Sequence, residues 1–160
     1  MKDYKDYPVT KIENLYELLF CSVKLYNTKT AFQRLSDGIS YNQFFANVLS
    51  VSNVLQFYSD CFFHINIKDT YLFAVAYFAT TITGNIAVLL DETHYNGDIE
   101  KPVFTLILTD KMIEQMLSES QIGESKLPTP VADNVCTIIY SSGTTSAAKG
   151  IMLSQGNLCS

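Results

Sequence analysis

The chain has 160 residues, of which 48% are hydrophobic and 17% charged, so it is long enough and apolar enough to fold around one core. Its 16 acidic residues outnumber its 11 basic residues, and a net charge of −5 argues against broad electrostatic binding to nucleic acid or to an anionic membrane surface. A site for an anion must therefore be local, made by a loop and one or two cations.

The cysteines and histidines give no pattern typical of a metal or redox site. The four cysteines are widely spaced and form no C-x-x-C pair: Cys21, Cys61, Cys136 and Cys159. His64 lies in an apolar run and His94 in a polar one, and neither has a partner at ligand spacing. Residues 1–11 are charged and aromatic, without the apolar stretch of a secretory signal. We therefore expect reduced thiols, a cytoplasmic location and no bound metal ligated by this chain.

Capping patterns predict two amphipathic helices in the first third of the chain. Residues 10–13 (TKIE) have the spacing of a capping box, and apolar residues then recur every three or four positions up to Tyr26. Residues 30–35 are a strand candidate and residues 36–38 a turn. A second capping box at residues 40–43 (SYNQ) opens a helix with the predicted inner face Phe44, Val48, Val51, Leu55 and Tyr58.

The middle of the chain alternates short apolar runs with helical segments. Asp69 is placed to cap a helix over residues 70–82, and a further helix is expected to start at 109–110 with the inner face Met112, Ile113, Met116 and Leu117. The strand candidates are residues 61–67, 86–90, 103–108 and 135–140. Apolar strands alternating with helices predict an α/β fold, with a layered, mostly parallel sheet flanked by helices.

A membrane span is the alternative interpretation of residues 71–90. This segment has twenty residues without a charge, and fifteen of them are apolar. However, residues 80–85 (TTITGN) are a poor helix interior, and Gly84 is placed to end a helix. We therefore predict a buried helix followed by a buried strand, and no transmembrane segment.

The last predicted strand leads into a loop rich in hydroxyls. A polar connector at residues 118–134 precedes the strand, and residues 141–150 (SSGTTSAAKG) follow it. Ligands of α/β sheets bind outside the carboxyl ends of the strands, and small residues allow backbone N–H groups to surround an anion. Lys149 adds a compact positive charge. The loop is not a Walker A motif, because Ala148 rather than glycine stands directly before Lys149, and Gly150 rather than serine or threonine follows it. Composition alone leaves two interpretations open, a phosphate-binding loop and a flexible linker.

The segment "TIIYSSGTT…KGIMLSQGNL" resembles the AMP-binding signature of the adenylate-forming superfamily, which includes acyl-CoA synthetases, nonribosomal-peptide adenylation domains and luciferases. Looser similarity to the same superfamily covers residues 37–41, 79–91 and 104–110. The signature is most similar to that of the fatty-acid–CoA ligase branch. The resemblance implies that residues 1–160 are the N-terminal part of an AMP-binding domain, with the phosphate-binding loop at 140–150 and with the rest of the catalytic domain and a C-terminal lid domain absent.

The resemblance also implies a function. The parent enzyme would be an ATP-dependent acid ligase that forms an acyl-adenylate and transfers the acyl group to a thiol such as coenzyme A, with Mg²⁺ bridging the phosphates of ATP. The residues implied to contact those phosphates are Ser141, Ser142, Gly143, Thr144, Thr145 and Lys149. No catalytic or metal-ligating residue is assigned within this chain. We expect the chain alone to be inactive and to self-associate through surface that the rest of the enzyme would cover.

The sequence departs from the superfamily pattern at four places, and the changes at Ser146 and Ala148, together with the end of the chain at Ser160, motivate a second hypothesis. Ser146 stands where glycine is usual, Ala148 where proline is usual, and Gln155 where histidine is usual. The segment of residues 92–102 is also shorter than in the superfamily, which usually has another helix there. A side chain at a position that needs positive φ costs about 1 kcal/mol, so Ser146 is the most serious change. The alternative function is therefore a non-catalytic nucleotide-binding or interaction domain that kept the fold.

Overall fold

The computed structural model describes residues 11–33, 37–90, 106–119, 130–141 and 149–160. The helices are α1 (Leu15–Tyr26), α2 (Tyr41–Leu55), α3 (Thr70–Ile82), α4 (Asp110–Glu119) and α5 (Gln155–Cys159). The strands are β1 (Thr30–Gln33), β2 (Gly38–Ser40), β3 (Phe62–Asn66), β4 (Ile86–Leu89), β5 (Leu106–Thr109), β6 (Val135–Ser141) and β7 (Lys149–Ser154).

The main sheet has the strand order β5-β3-β4-β6-β7, and β1 and β2 form a separate antiparallel pair. Strands β3, β4, β5 and β6 are parallel, whereas β7 runs antiparallel to β6. Helix α3 packs on β3 and β4, α4 packs on β5, and α2 packs on α3 and α4. The predicted α/β fold, a mostly parallel sheet flanked by helices, is therefore confirmed.

Helix α2 confirms the second predicted capping box. The backbone N–H of Gln43 donates to Ser40 Oγ over 3.2 Å, and the N–H of Ser40 donates to Gln43 Oε1 over 3.0 Å. Four of the five residues predicted for its inner face are buried: Phe44, Val48, Val51 and Leu55. Tyr58 lies past the end of the helix and is 38% exposed, although its ring meets that of Phe63 edge-on.

The predicted start of the first helix is wrong. Helix α1 begins at Leu15, and its N-cap is Asn14, whose Oδ1 accepts the Glu17 N–H over 2.8 Å. The Glu17 carboxylate in turn accepts the N–H of Glu13 over 2.9 Å. Asn14 competes successfully with the upstream pattern because an asparagine side chain is among the best acceptors for a helix N-terminus. Thr10, the first residue of the predicted box, lies outside the described residues.

The predicted helix over residues 70–82 and the strands on either side of it are confirmed. Asp69 Oδ1 accepts the Leu72 N–H over 2.9 Å, which caps α3, and Gly84 follows its end with φ +80°. This left-handed conformation is one that glycine adopts without steric cost. No helix in the described part of the chain is long and apolar enough to cross a membrane.

Two strands were not predicted. Gly38, expected in a turn, lies in β2 opposite Gln33 of β1. Strand β7 lies in the second half of the signature segment, where no strand was predicted, and Ile151 and Met152 on it are 51% and 66% exposed. Of the strand predicted at residues 103–108, residues 106–108 lie in β5, which extends to Thr109, and residues 103–105 lie outside the described residues. Most of the predicted connector, residues 120–129, also lies outside them.

Candidate functional site

The carboxyl ends of the four parallel strands lie along one edge of the sheet. These ends are Asn66 of β3, Leu89 of β4, Thr109 of β5 and Ser141 of β6. Backbone groups at such an edge point away from the core, and the connecting loops rather than the strands decide what binds there. Ser141, which residues 142–148 follow in the chain, therefore lies at the edge where an α/β sheet binds ligands.

That segment connects the two arms of a β-hairpin. Ser141, the last residue of β6, is the register partner of Lys149, the first residue of β7, and Tyr140 faces Gly150. The hairpin brings the backbones of Ser141 and Lys149 together at the carboxyl edge. Four of the predicted phosphate-binding residues lie outside the described residues: Ser142, Gly143, Thr144 and Thr145. Phosphate contacts by all six residues stay a prediction.

Gly150 is the residue that lets Tyr140 lie across the hairpin. A Cβ atom at position 150 would be 3.1 Å from Ile138 Cγ2 and 3.2 Å from Tyr140 Cζ. Both distances are shorter than ordinary van der Waals contacts, so a side chain there would displace the Tyr140 ring or the backbone. The glycine after Lys149 thus has a packing reason that composition alone does not show.

A pair of hydroxyl groups joins β6 to helix α3. Tyr77 Oη and Thr137 Oγ1 are 2.9 Å apart, and Thr137 is buried. Burial raises the pKa of the Tyr77 phenol, so the phenol stays neutral and can share a proton with the threonine hydroxyl. The strand that carries Ser141 is therefore fixed to the helical layer as well as to β4.

The cysteines near the hairpin are not activated nucleophiles. Burial raises the pKa of the Cys136 thiol and of the Cys159 thiol, which keeps both protonated near neutral pH. All four cysteines are free. His64 is buried on β3, and His94 lies outside the described residues. Among the residues that the structure describes, no group of three or more His, Cys, Asp or Glu side chains could hold a metal ion.

A second polar cluster lies at the far end of the same edge. The Asp110 carboxylate accepts the backbone N–H of Asp69 over 2.9 Å and that of Lys68 over 3.2 Å. These hydrogen bonds, that from Asp69 first, lower the pKa of the Asp110 carboxyl. Strands β5 and β6 are three strand spacings apart, about 14 Å, so Asp110 fixes two strand-to-helix connections and is separate from the hairpin loop.

Comparison with known proteins agrees with the resemblance found in the sequence. Residues 96–160 match the family of AMP-binding enzymes. A fatty acyl-CoA synthetase B of Dictyostelium discoideum is 37% identical over 71 residues, which are 44% of this chain and 10% of that protein. The segment that matches the family includes β6, β7 and the residues between them, and the predicted similarity to the adenylate-forming superfamily is confirmed there.

Solved structures extend the likeness in fold to most of the chain. The N-terminal subdomain of Klebsiella oxytoca NpsA, bound to 3-hydroxyanthranilyl-AMSN, has a TM-score of 0.73 at 13% identity and covers 90% of this chain and 41% of that one. O-succinylbenzoate coenzyme A synthetase (MenE) of Bacillus subtilis, bound to AMP, has a TM-score of 0.70 at 18% identity and covers 87% and 42%. The chain thus spans less than half the length of these structures and about a tenth of the curated relative.

Proposed function

We propose that this chain, whose residues 96–160 match the AMP-binding enzymes, is the N-terminal part of the nucleotide-binding domain of an ATP-dependent acid ligase. The observation that carries the proposal is the β6–β7 hairpin, which brings Ser141 and Lys149 together at the carboxyl edge of a mostly parallel sheet. A fatty acid is the substrate class that the similarity to a fatty acyl-CoA synthetase favours.

The chemistry of the loop suits the leaving group of adenylation. When a carboxylate attacks the α-phosphate of ATP, pyrophosphate leaves, and negative charge develops on the β- and γ-phosphates. Catalysis of such a transfer depends mainly on positioning and charge neutralisation. We propose that Ser141, Lys149 and the hydroxyls and backbone N–H groups of residues 142–145 hold these phosphates.

The proposed cofactors are ATP with Mg²⁺, and coenzyme A as the thiol acceptor. Mg²⁺ keeps several waters and is usually held by phosphate oxygens together with one or two carboxylates. The known structures with AMP and with an adenylate analogue support nucleotide binding by this fold. Because the chain spans less than half of those structures, we propose that it binds nucleotide but does not complete adenylation alone.

Calorimetry with magnesium pyrophosphate and with MgATP tests the loop directly. Lys149→Ala is expected to weaken binding of both ligands by about tenfold, because a hydrogen bond to a charged group contributes about 1.5 kcal/mol or more. Lys111→Ala is the matched control, since Lys111 is an exposed lysine in the first turn of α4 at the same sheet edge. Equal weakening by the two substitutions would mean that binding is only a general charge effect.

A hydroxamate assay with fatty, aryl and amino acids tests the reaction itself. It requires the longest polypeptide in which this chain occurs, with ATP, Mg²⁺ and hydroxylamine. ATP-dependent hydroxamate formation with at least one acid is expected, and Lys149→Ala should lower it. ATP binding without turnover on any acid would favour the non-catalytic nucleotide-binding domain instead.

Self-association is a further part of the proposal. Strand β7 is the outermost strand on one side of the sheet as described, and Ile151 and Met152 on it are exposed. An exposed apolar strand in this position is a template for pairing with another chain. Sedimentation velocity at several concentrations should show dimers or larger species. Replacing Met152 with lysine should shift the chain toward monomer, and an unchanged distribution would contradict this part.

A further inference from the structure

The residue that follows β7, Gln155, is a buried polar side chain. It is 1% exposed, although glutamine is mostly found at protein surfaces. It is also the first residue of the short helix α5, whose N-cap Ser154 forms a capping box with Asn157. A buried amide needs partners for both its oxygen and its nitrogen, so the contacts of Gln155 indicate what it holds in place.

Gln155 connects the ends of two helices that are distant in sequence. Its Oε1 accepts the backbone N–H of Leu15 over 2.9 Å, and its Nε2 donates to the carbonyl oxygen of Thr81 over 2.9 Å. Leu15 is the first residue of α1, and Thr81 is in the last turn of α3, so neither group has a partner within its own helix. The Gln155 backbone N–H donates to the Asn134 carbonyl oxygen over 3.0 Å. One residue therefore joins the hairpin to α1, to α3 and to the turn before β6.

The position of Gln155 matters for the register of the hairpin. Among the described residues, β7 pairs with β6 and with no other strand. The β6–β7 register is irregular between Val135 and Thr137, at the end of the hairpin next to Gln155. A slip of one residue would reverse the faces of all side chains on β7 and would remove Lys149 from its place opposite Ser141. Anchoring β7 next to Gln155 therefore also determines the pairing of Ser141 with Lys149 at the opposite end of the hairpin.

We propose that Gln155 is a positioning residue for phosphate binding, because its side-chain amide fixes the β6–β7 register that places Lys149 opposite Ser141. The inference rests on the proposed function for its consequence, but its structural part is independent of any ligand. An isosteric carboxylate offers a test. Ionised glutamate at position 155 can accept from Leu15 but cannot donate to Thr81, whereas protonated glutamate can do both.

Hydrogen exchange tests the structural part. Gln155→Leu should lower the protection of the Leu15 amide and of the β7 amides by about tenfold or more, because a buried donor and acceptor lose their partner. Gln155→Glu should behave in the same way at pH 7.5 and regain protection at pH 5, since burial raises the pKa of a carboxyl. Gln43→Glu is the control, because glutamate also serves at this position of a capping box and should change nothing at either pH. Unchanged β7 protection in Gln155→Leu would overturn the proposal.

Calorimetry with magnesium pyrophosphate tests the functional part, at a temperature where circular dichroism shows each variant to be folded. Gln155→Leu is expected to bind pyrophosphate about tenfold more weakly than the unsubstituted chain. The reason is that displacing Lys149 would cost about one hydrogen bond to a charged group. Gln155→Glu should bind pyrophosphate more weakly than the unsubstituted chain at pH 7.5 and equally well at pH 5. This variant provides the test if Gln155→Leu does not fold. Equal affinity of a folded Gln155→Leu variant would overturn the positioning role. If the unsubstituted chain binds no pyrophosphate, the proposed function fails, and hydrogen exchange still decides whether Gln155 sets the register.

Discussion

The core around α2 and α3 and the β6–β7 hairpin are stabilised in different ways. In the core, fully buried apolar side chains such as Val48, Val51, Leu55 and Val75 pack on one another. The hairpin has exposed apolar side chains and depends on a few specific contacts, at Gly150, Thr137 and Gln155. We infer that the core sets the global stability and that the hairpin can open locally while the core stays folded.

Truncation in the core should have the largest effect on stability. Leu55→Ala removes a fully buried side chain from α2 and leaves a cavity, so the free energy of unfolding should fall by about 2–5 kcal/mol. Urea denaturation followed by circular dichroism measures the change. Val54→Ala is the matched control, because Val54 is the preceding residue and is 37% exposed; it should change stability by about 0.5 kcal/mol. Similar losses in the two variants would contradict a core dominated by burial.

Overpacking in the hairpin should have a smaller and local effect. Gly150→Val places a side chain against Ile138 and Tyr140 and should destabilise the hairpin by about 1–3 kcal/mol. Amides of β7 should exchange faster, while those of β3 keep their protection. Met152→Val is the control on the same strand, since Met152 is 66% exposed. Loss of protection in both strands would mean that the hairpin and the core unfold together.

The same contrast explains how much could be predicted from the sequence. Periodicity and capping located α2, α3 and the strands β3 and β4, because burial repeats with the period of each element and Ser40 and Asp69 cap through local contacts. The predicted start of α1 was wrong, since two capping patterns lie within a few positions of each other and the structure uses the stronger local cap at Asn14. Strand β7 could not be predicted, because it depends on pairing with β6. The role of Gln155 could not be predicted either, because its partners Leu15 and Thr81 are distant in the sequence. For the candidate site, the phosphate contacts of the loop and of Lys149 stay a prediction. The hairpin pairing could not be predicted, because it depends on contacts between separate strands.

The hydroxyl pair between α3 and β6 should contribute less to stability than the buried Leu55 side chain or the close packing at Gly150. Tyr77→Phe removes one partner and leaves the buried Thr137 hydroxyl without it, so stability should fall by about 1 kcal/mol. Adding Thr137→Val replaces the second hydroxyl by a methyl group of similar shape. The double variant should therefore be more stable than Tyr77→Phe alone, and thermal denaturation of the two variants measures the difference. A double variant less stable than the single one would show that the hydroxyls do not act as a pair.

The smallest effect is expected from the exposed carboxylate at the far end of the sheet edge. Because the native state lowers the pKa of Asp110, the unfolded state binds the proton more readily, and the stabilising contribution is present above the ordinary aspartate pKa of about 3.9. It should be lost as the pH falls from that value through the lower native pKa. Asp110→Asn should therefore lower the urea midpoint slightly at pH 7, and its difference from the unsubstituted chain should shrink as the pH falls below about 3.9. Asp133→Asn is the control, because it removes the same charge at an exposed position in the turn before β6. Because Asp110 lies far from the hairpin, neither substitution should change pyrophosphate binding, and a change in Asp110→Asn alone would place Asp110 in the phosphate site.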